Sequence, residues 1–256
     1  MARDVYRTPD SRFVGLPDFP FEPRYVEIDG LRTHYLDEGQ GEPILLLHGE
    51  PTWSFLYRRM LPALGLSGLT IVVQDWGGPL GLRYAVTHPE RVARLVILNT
   101  GLMSGEAAVL SPGLLKWREY ASRTPDLPIG QIVRRSAVLR DRITDAVVAA
   151  YDAPFPTPES KAGARAFPAL IPTTPDAPGA AVMRETRAAL ASWRKPALVC
   201  WSDSDPVFPP TVGRDFAALV DGAHFALIEG AGHFLQEEKG PEIARAILDF
   251  VPAQQL

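Results

Sequence analysis

Val72-Val73-Gln74-Asp75-Trp76-Gly77-Gly78 reads VVQDWGG, an apolar run that ends in an acid, an indole and two glycines. The residues leading into it, Leu69 to Val73, suit a strand buried on both faces. The residues after it, Gly78 to Thr87, suit a helix. Strand, tight turn and helix in that order make the repeating unit of a parallel sheet, whose ligands collect outside the carboxyl ends of the strands. Turns of this kind hold a serine in many hydrolytic sites. Here the position is an aspartate.

The same grammar recurs along the chain. Pro43–Leu47 (PILLL), Leu95–Leu98, Ala197–Trp201 and Phe225–Ile228 read as further strands. Tyr25–Ile28 and Thr33–Leu36 flank Asp29-Gly30, a hairpin signal. WSFLYRRMLPAL, residues 53–64, reads as a helix, and PEIARAILDFV, residues 241–251, carries apolar residues at helical spacing. Residues 102–186 are Pro-rich and lack strand-like alternation. The expectation is an α/β fold with a mostly parallel sheet covered by helices on both faces, its core built from residues 1–101 and 187–256. Residues 102–186 would form an inserted helical lid.

Composition bounds the rest. A chain of 256 residues, 46% apolar and 22% charged, is long enough for one large core with an insertion. A net charge of −4 argues against a nucleic-acid partner. The start, MARDVYRTPD, lacks the order of a secretory signal. The longest uncharged run, Met60 to Gln74, is short for a membrane span and broken by Pro62, Gly65 and Gly68. The single cysteine, Cys200, sits in an apolar run and has no partner for an internal disulfide. A cytoplasmic, monomeric protein without cofactor or metal is the expectation.

Four polar motifs follow the strands: HGEPTW, DWGG, SDSDP and GAGHF. Asp75, an acid at 203 or 205, and His233 stand in the chain order nucleophile, acid, histidine of α/β-hydrolase triads. Each alone has a plainer reading, Asp75 as a helix cap and His233 as a surface imidazole. Their convergence at strand ends favours chemistry. A carboxylate nucleophile suits displacement at a saturated carbon, which yields an alkyl ester of the enzyme. Water deprotonated by His233 would then attack that ester. The oxyanion so formed needs backbone donors, for which the N–H groups of Trp76 and Glu50 are placed. His48 fits the oxyanion loop better than the role of base. An indole N–H is a donor with no lone pair, suited to holding a departing anion in a dry pocket, and Trp76 adjoins the nucleophile.

LLLHGEPTWSFLYR, VVQDWGG, HPERVARLVILNTGL and GAGHFLQEE together closely resemble the haloalkane dehalogenases of the α/β-hydrolase superfamily, from near residue 7 to near residue 250. The resemblance implies an α/β-hydrolase fold, a small halogenated aliphatic substrate, water as co-substrate and halide as product. It implies Asp75 as nucleophile, His233 as base, Asp205 rather than Asp203 as the orienting acid, and Trp76 as one halide donor. In the subgroup with its acid after the later strand, a lid tryptophan is the second donor, and Trp117 in LLKWREY matches it. Phe167 and Pro168 match pocket-lining residues. Trp193 and Trp201 read as core.

One departure is large. Between HGEPTW and VVQDWGG the family carries an extra strand and helix, whereas here MLPAL passes through GLSG directly into the next strand. In the family's sheet the missing strand lies between strands two and three, so its loss would leave a gap beside strand three. A right-handed crossover could also carry the connecting helix to the other face. Two rival readings follow. An epoxide hydrolase would use the same aspartate and histidine with lid tyrosines, for which Tyr120 and Tyr151 are available. A degenerate, non-catalytic member would keep only a small-ligand pocket.

Overall fold

The computed structural model describes residues 5–39, 43–60, 69–106 and 110–251. Among the described residues seven strands form two sheets. The antiparallel pair β1 (Arg24–Ile28) and β2 (Leu31–Tyr35) turns at Asp29 and Gly30, with φ 52° and 77°. Two adjacent residues with positive φ make the turn type that Asp-Gly favours. The main sheet is all parallel, in the order β3 (Ile44–Leu47), β4 (Thr70–Val73), β5 (Arg94–Leu98), β6 (Ala197–Ser202), β7 (His224–Ile228).

Side chains alternate across this sheet with period two and feed two cores. Ile71, Val73, Leu95, Ile97, Val199 and Trp201 pack with α1 (Gly77–Thr87), α6 (Ala180–Leu190) and α7 (Pro210–Leu219). Val72, Val96, Leu98, Leu198 and Cys200 face α8 (Leu235–Phe250) together with Tyr57 and Met60. Strands that step in one direction with right-handed crossovers put their connecting helices on one face, which accounts for α1, α6 and α7 lying together. The helix expected over residues 53–64 is a single 3-10 turn, Ser54–Tyr57, within the described residues. Its Tyr57, with Met60, packs on the α8 face. Residues 61–68, where MLPAL runs into GLSG, lie outside the described residues.

The missing strand has a visible consequence. β3 pairs directly with β4, from Ile44 opposite Thr70 to Leu47 opposite Val73, and forms the edge of the main sheet. The β1–β2 pair is a separate sheet, with Val26, Ile28, Leu31 and Tyr35 exposed. Among the described residues no strand pairs with the outer side of β3, as the expected gap requires.

Between β5 and β6 the described chain is helical: α2 (Pro112–Arg123), α3 (Ile129–Arg135), α4 (Asp145–Asp152), α5 (Ala162–Ala166) and α6. Ser111 caps α2 by accepting from the N–H of Leu114, and Thr144 caps α4 by accepting from Val147. The expected boundary at residue 186 falls inside α6, which packs on α1. α8 begins before the expected position 241, and it bends at Lys239 (φ −133°) ahead of Pro241, whose ring cannot continue the hydrogen-bond ladder. No described helix is long and apolar enough to cross a membrane.

Candidate active site

Four loops at the carboxyl ends of β3, β4, β6 and β7 meet around Asp75. The residue has φ 49°, a left-handed conformation that costs a non-glycine residue on the order of 1 kcal/mol. Three hydrogen bonds hold it there. Its N–H donates to Asn99 O (2.9 Å), and its carbonyl accepts from Thr100 Oγ1 (2.6 Å) and from the N–H of Gly78 (2.9 Å). Asn99 and Thr100 directly follow β5, so the neighbouring strand sets the turn. A side chain at Gly49 would overlap Asp75, and one at Gly77 would strike the Leu47 carbonyl, which accounts for both glycines.

The two oxygens of Asp75 have different surroundings. Oδ1 accepts the backbone N–H of Glu50 at 2.9 Å, and the backbone N–H of Trp76 also acts on the carboxylate. Oδ2 stands 3.7 Å from His233 Nε2. Burial raises the Asp75 carboxyl pKa, while the His233 charge and the two backbone donors pull it back.

His233 Nδ1 lies 2.9 Å from Asp205 Oδ2. Asp205 is itself fixed, because its Oδ1 accepts the N–H groups of Val207 (2.7 Å) and Phe208 (3.1 Å). Asp203 faces away and ties its own loop to Gly230 and Ala231. The structure therefore brings Asp75, His233 and Asp205 into one series and leaves Asp203 out of it. Burial would lower the imidazole pKa, but the charge and hydrogen bond of Asp205, with the charge of Asp75, raise it.

A cavity of about 1160 Å³ opens onto Asp75 and His233. Glu50, Trp76 and Trp117 line it, with Trp117 coming from α2 of the helical insertion. Phe167 and Pro168 do not line it, contrary to the expectation from the motif ARAFP. They open a 3-10 turn, Phe167–Leu170, in which Phe167 stands edge-on to Trp76 at 5.1 Å and Pro168 is buried. The following residues, Ala169 to Pro172, reach the cavity instead. Trp193 and Trp201 are core residues, and the Trp201 indole donates to Phe208 O at 2.9 Å. Tyr120 is exposed, and Tyr151 is buried with its hydroxyl on Glu237 Oε2 at 2.7 Å; neither lines the cavity. Cys200 is buried, which raises its thiol pKa to about 12. Among the described residues no cluster of ligating side chains could hold a metal.

Several supporting residues escaped the sequence reading. Glu238 Oε2 accepts the N–H of Gly232 and Oε1 that of Leu139, both at 2.6 Å, joining the histidine loop to the insertion. Asn99 Nδ2 reaches the carbonyls of Gly232 (3.2 Å) and His233 (3.3 Å). Gln74 Nε2 lies 3.3 Å from His233 Nε2. Arg58 pairs twice with Glu237 beneath the site. The QEE that follows GAGHFL was the only local signal for the two glutamates.

Residues 55–240 match the family model described as alpha/beta hydrolase fold. A haloalkane dehalogenase of Psychrobacter cryohalolentis is 36% identical, the match covering 96% of this chain and 98% of the relative. One from Mycolicibacterium paratuberculosis is 38% identical, covering 97% and 99%. The first alignment runs over 303 positions, more than the 256 residues here, so the relative carries residues that this chain lacks. Among solved structures, the tetrameric haloalkane dehalogenase of Paraglaciecola agarilytica superposes with a TM-score of 0.86 at 28% identity, covering 98% of this chain and 99% of that one.

Proposed function

The chain belongs to the haloalkane dehalogenases of the α/β-hydrolase fold, and from that premise we propose that Asp75, His233 and Asp205 carry out the hydrolysis of its carbon–halogen substrate. The overall reaction is haloalkane plus water to alcohol, halide and a proton. The observation that carries the residue assignment is the asymmetry of Asp75: Oδ1 is held by the Glu50 N–H at 2.9 Å, while Oδ2 lies 3.7 Å from His233 Nε2.

Oδ2 attacks the carbon bearing the halogen, a C–O bond forms, and the C–X bond breaks with its electron pair leaving on the halide. The indoles of Trp76 and Trp117 receive the anion in the apolar cavity. Esterified Asp75 carries no charge, so one of the influences that raise the His233 pKa disappears as the ester forms. The imidazole is thereby readied as a base at the step that needs one. It takes a proton from water, the hydroxide adds to Asp75 Cγ, and negative charge develops on Oδ1 between the N–H groups of Glu50 and Trp76. Asp205 holds Nδ1–H and stabilises the imidazolium. Collapse releases the alcohol and restores the carboxylate.

An epoxide hydrolase of this kind would need lid tyrosines to protonate the opened oxygen, and neither Tyr120 nor Tyr151 lines the cavity. For the helical insertion, residues 102–186, we propose the part of a lid, which supplies Trp117. We further propose a monomer in the reducing cytoplasm; light scattering tests the first, with the tetramer of the Paraglaciecola relative as the contrary outcome. Incubation with a short bromoalkane, following bromide and acid release, tests the function. Wild type should release both in equal amounts and Asp75→Ala neither; equal release from the variant would refute the assignment.

A further inference from the structure

We propose that this site takes haloalkanes whose far end carries a carboxylate, held at the cavity mouth by Lys116 and Arg135; this rests on the dehalogenase reading above. The two ends of the cavity differ in charge. Glu50 and Asp75 are the only carboxylates among the described residues that line it, and both stand at the reacting end, where the Glu50 N–H meets Asp75 Oδ1. Lys116, Arg118 and Arg135 line it as well. Arg118 is half-buried and committed to the protein, donating to the carbonyls of Pro168 at 3.0 Å and Ile171 at 2.6 Å. Lys116 and Arg135 are exposed, which puts them at the opening.

Neither the Lys116 ammonium nor the Arg135 guanidinium has a hydrogen-bond or ion-pair partner among the described residues. Acids near them are already paired, Glu119 with Arg123 at 2.8 Å and Asp145 with Arg134 at 2.6 Å. Asp176, in the loop ahead of α6, does not line the cavity. Arg135 ends α3, where the helix dipole favours any cation. Lys116 lies inside α2, away from its end, and has no such reason to be there. A plain haloalkane gives these two cations nothing to meet. The cavity of about 1160 Å³ also exceeds the ~300–1,000 Å³ usual for a small-ligand site, so a short bromoalkane would leave its outer part unfilled. A carboxylate on an alkyl tail answers both points. Its methylenes can lie along Ile132, Leu170 and Ile171 while the anion meets the two cations.

The chemistry at Asp75 is unchanged. An ω-bromocarboxylate and water give the ω-hydroxycarboxylate, bromide and a proton. The cations act on encounter and binding, at a distance from the reacting carbon, so their effect belongs in KM rather than in kcat. The experiment compares bromide release from 6-bromohexanoate, 6-bromohexan-1-ol and (6-bromohexyl)trimethylammonium by the whole chain. Exposed charge pairs contribute a few-fold each, so wild type should favour the carboxylate over the alcohol by roughly tenfold in kcat/KM and handle the ammonium compound worst. In Lys116→Gln/Arg135→Gln the carboxylate-to-alcohol ratio should fall to within about twofold of one. Taking the ratio within each variant cancels any general loss of folding or turnover. A wild-type ratio near one, an ammonium compound used as well as the carboxylate, or a ratio that survives in the double variant would overturn the proposal. If neither these compounds nor a short bromoalkane released bromide, the dehalogenase reading itself would fall, a separate failure.

Discussion

Replacing Arg58 with methionine should destabilise the protein more than any single change at its surface. Arg58 and Glu237 are fully buried and meet through two hydrogen bonds, Nη1–Oε2 at 2.7 Å and Nη2–Oε1 at 2.8 Å. The guanidinium also donates to Phe55 O at 3.1 Å and lies 3.8 Å over the Phe55 ring. Methionine retains the stem and the ring contact but leaves a buried carboxylate. Removing one partner of a buried pair costs about 3–5 kcal/mol. Two contacts remain to Glu237, the Tyr151 hydroxyl at 2.7 Å and Arg59 at 3.4 Å, so the expected loss lies near the lower limit. At about 3 kcal/mol and ~2–4 °C per kcal/mol for a chain of this size, Tm should drop by roughly 6–12 °C.

The pH dependence carries a sign. Burial would raise the Glu237 pKa, but the hydrogen bonds and charge of Arg58, then Tyr151 and Arg59, lower it. A depressed carboxyl pKa contributes stability that is present above the unfolded value and lost as pH falls through the folded one. In Arg58→Met, burial acts with less opposition, so protonation relieves the variant and its deficit should shrink from pH 7 toward acid. Arg58→Met/Glu237→Leu, lacking both charges, should recover much of the loss. Urea unfolding followed by circular dichroism measures all three. A deficit under about 1 kcal/mol, a deficit that does not shrink in acid, or a double variant no better than the single would refute this account of the pair.

Asp205→Asn removes a charge that helps to raise the His233 pKa. Hydrolysis needs neutral imidazole and fails as pH falls through that pKa, so the acid limb of the rate profile should move to lower pH. The plateau should fall by up to about 10⁴-fold, as the ring loses its orienting partner; an unmoved limb would contradict the assignment. His233→Gln should alkylate but not hydrolyse, giving one equivalent of bromide per chain and a mass raised by the alkyl group. Continued turnover would show that another base serves.

Much of this was legible in the sequence because it is local. TIVV, RLVIL and ALVCWS are short, mostly apolar runs bounded by turn residues, and each is a strand. Asp75, Glu50 and His233 sit in turns directly after strands, so strand prediction placed them at one end of the sheet. The supporting contacts were not legible. Arg58 and Glu237 are 179 positions apart, and nothing in either neighbourhood announces the other. Phe167 matched a motif, but a 3-10 turn rotates it against Trp76 and presents Ala169 to Pro172 to the cavity. The helix expected over residues 53–64 is a 3-10 turn within the described residues, where Phe55, Leu56 and Tyr57 are divided between two cores and need only one turn to reach them.

The central claim is that water attacks Asp75 Cγ and never the substrate carbon. A single turnover in water enriched in oxygen-18, with enzyme in excess over a bromoalkane, reads this directly. The alcohol should emerge with ordinary oxygen, taken from Asp75, and the heavy isotope should appear in the peptide that contains Asp75. Heavy oxygen in the first-turnover alcohol, with none in that peptide, would mean direct attack by water and would contradict the account.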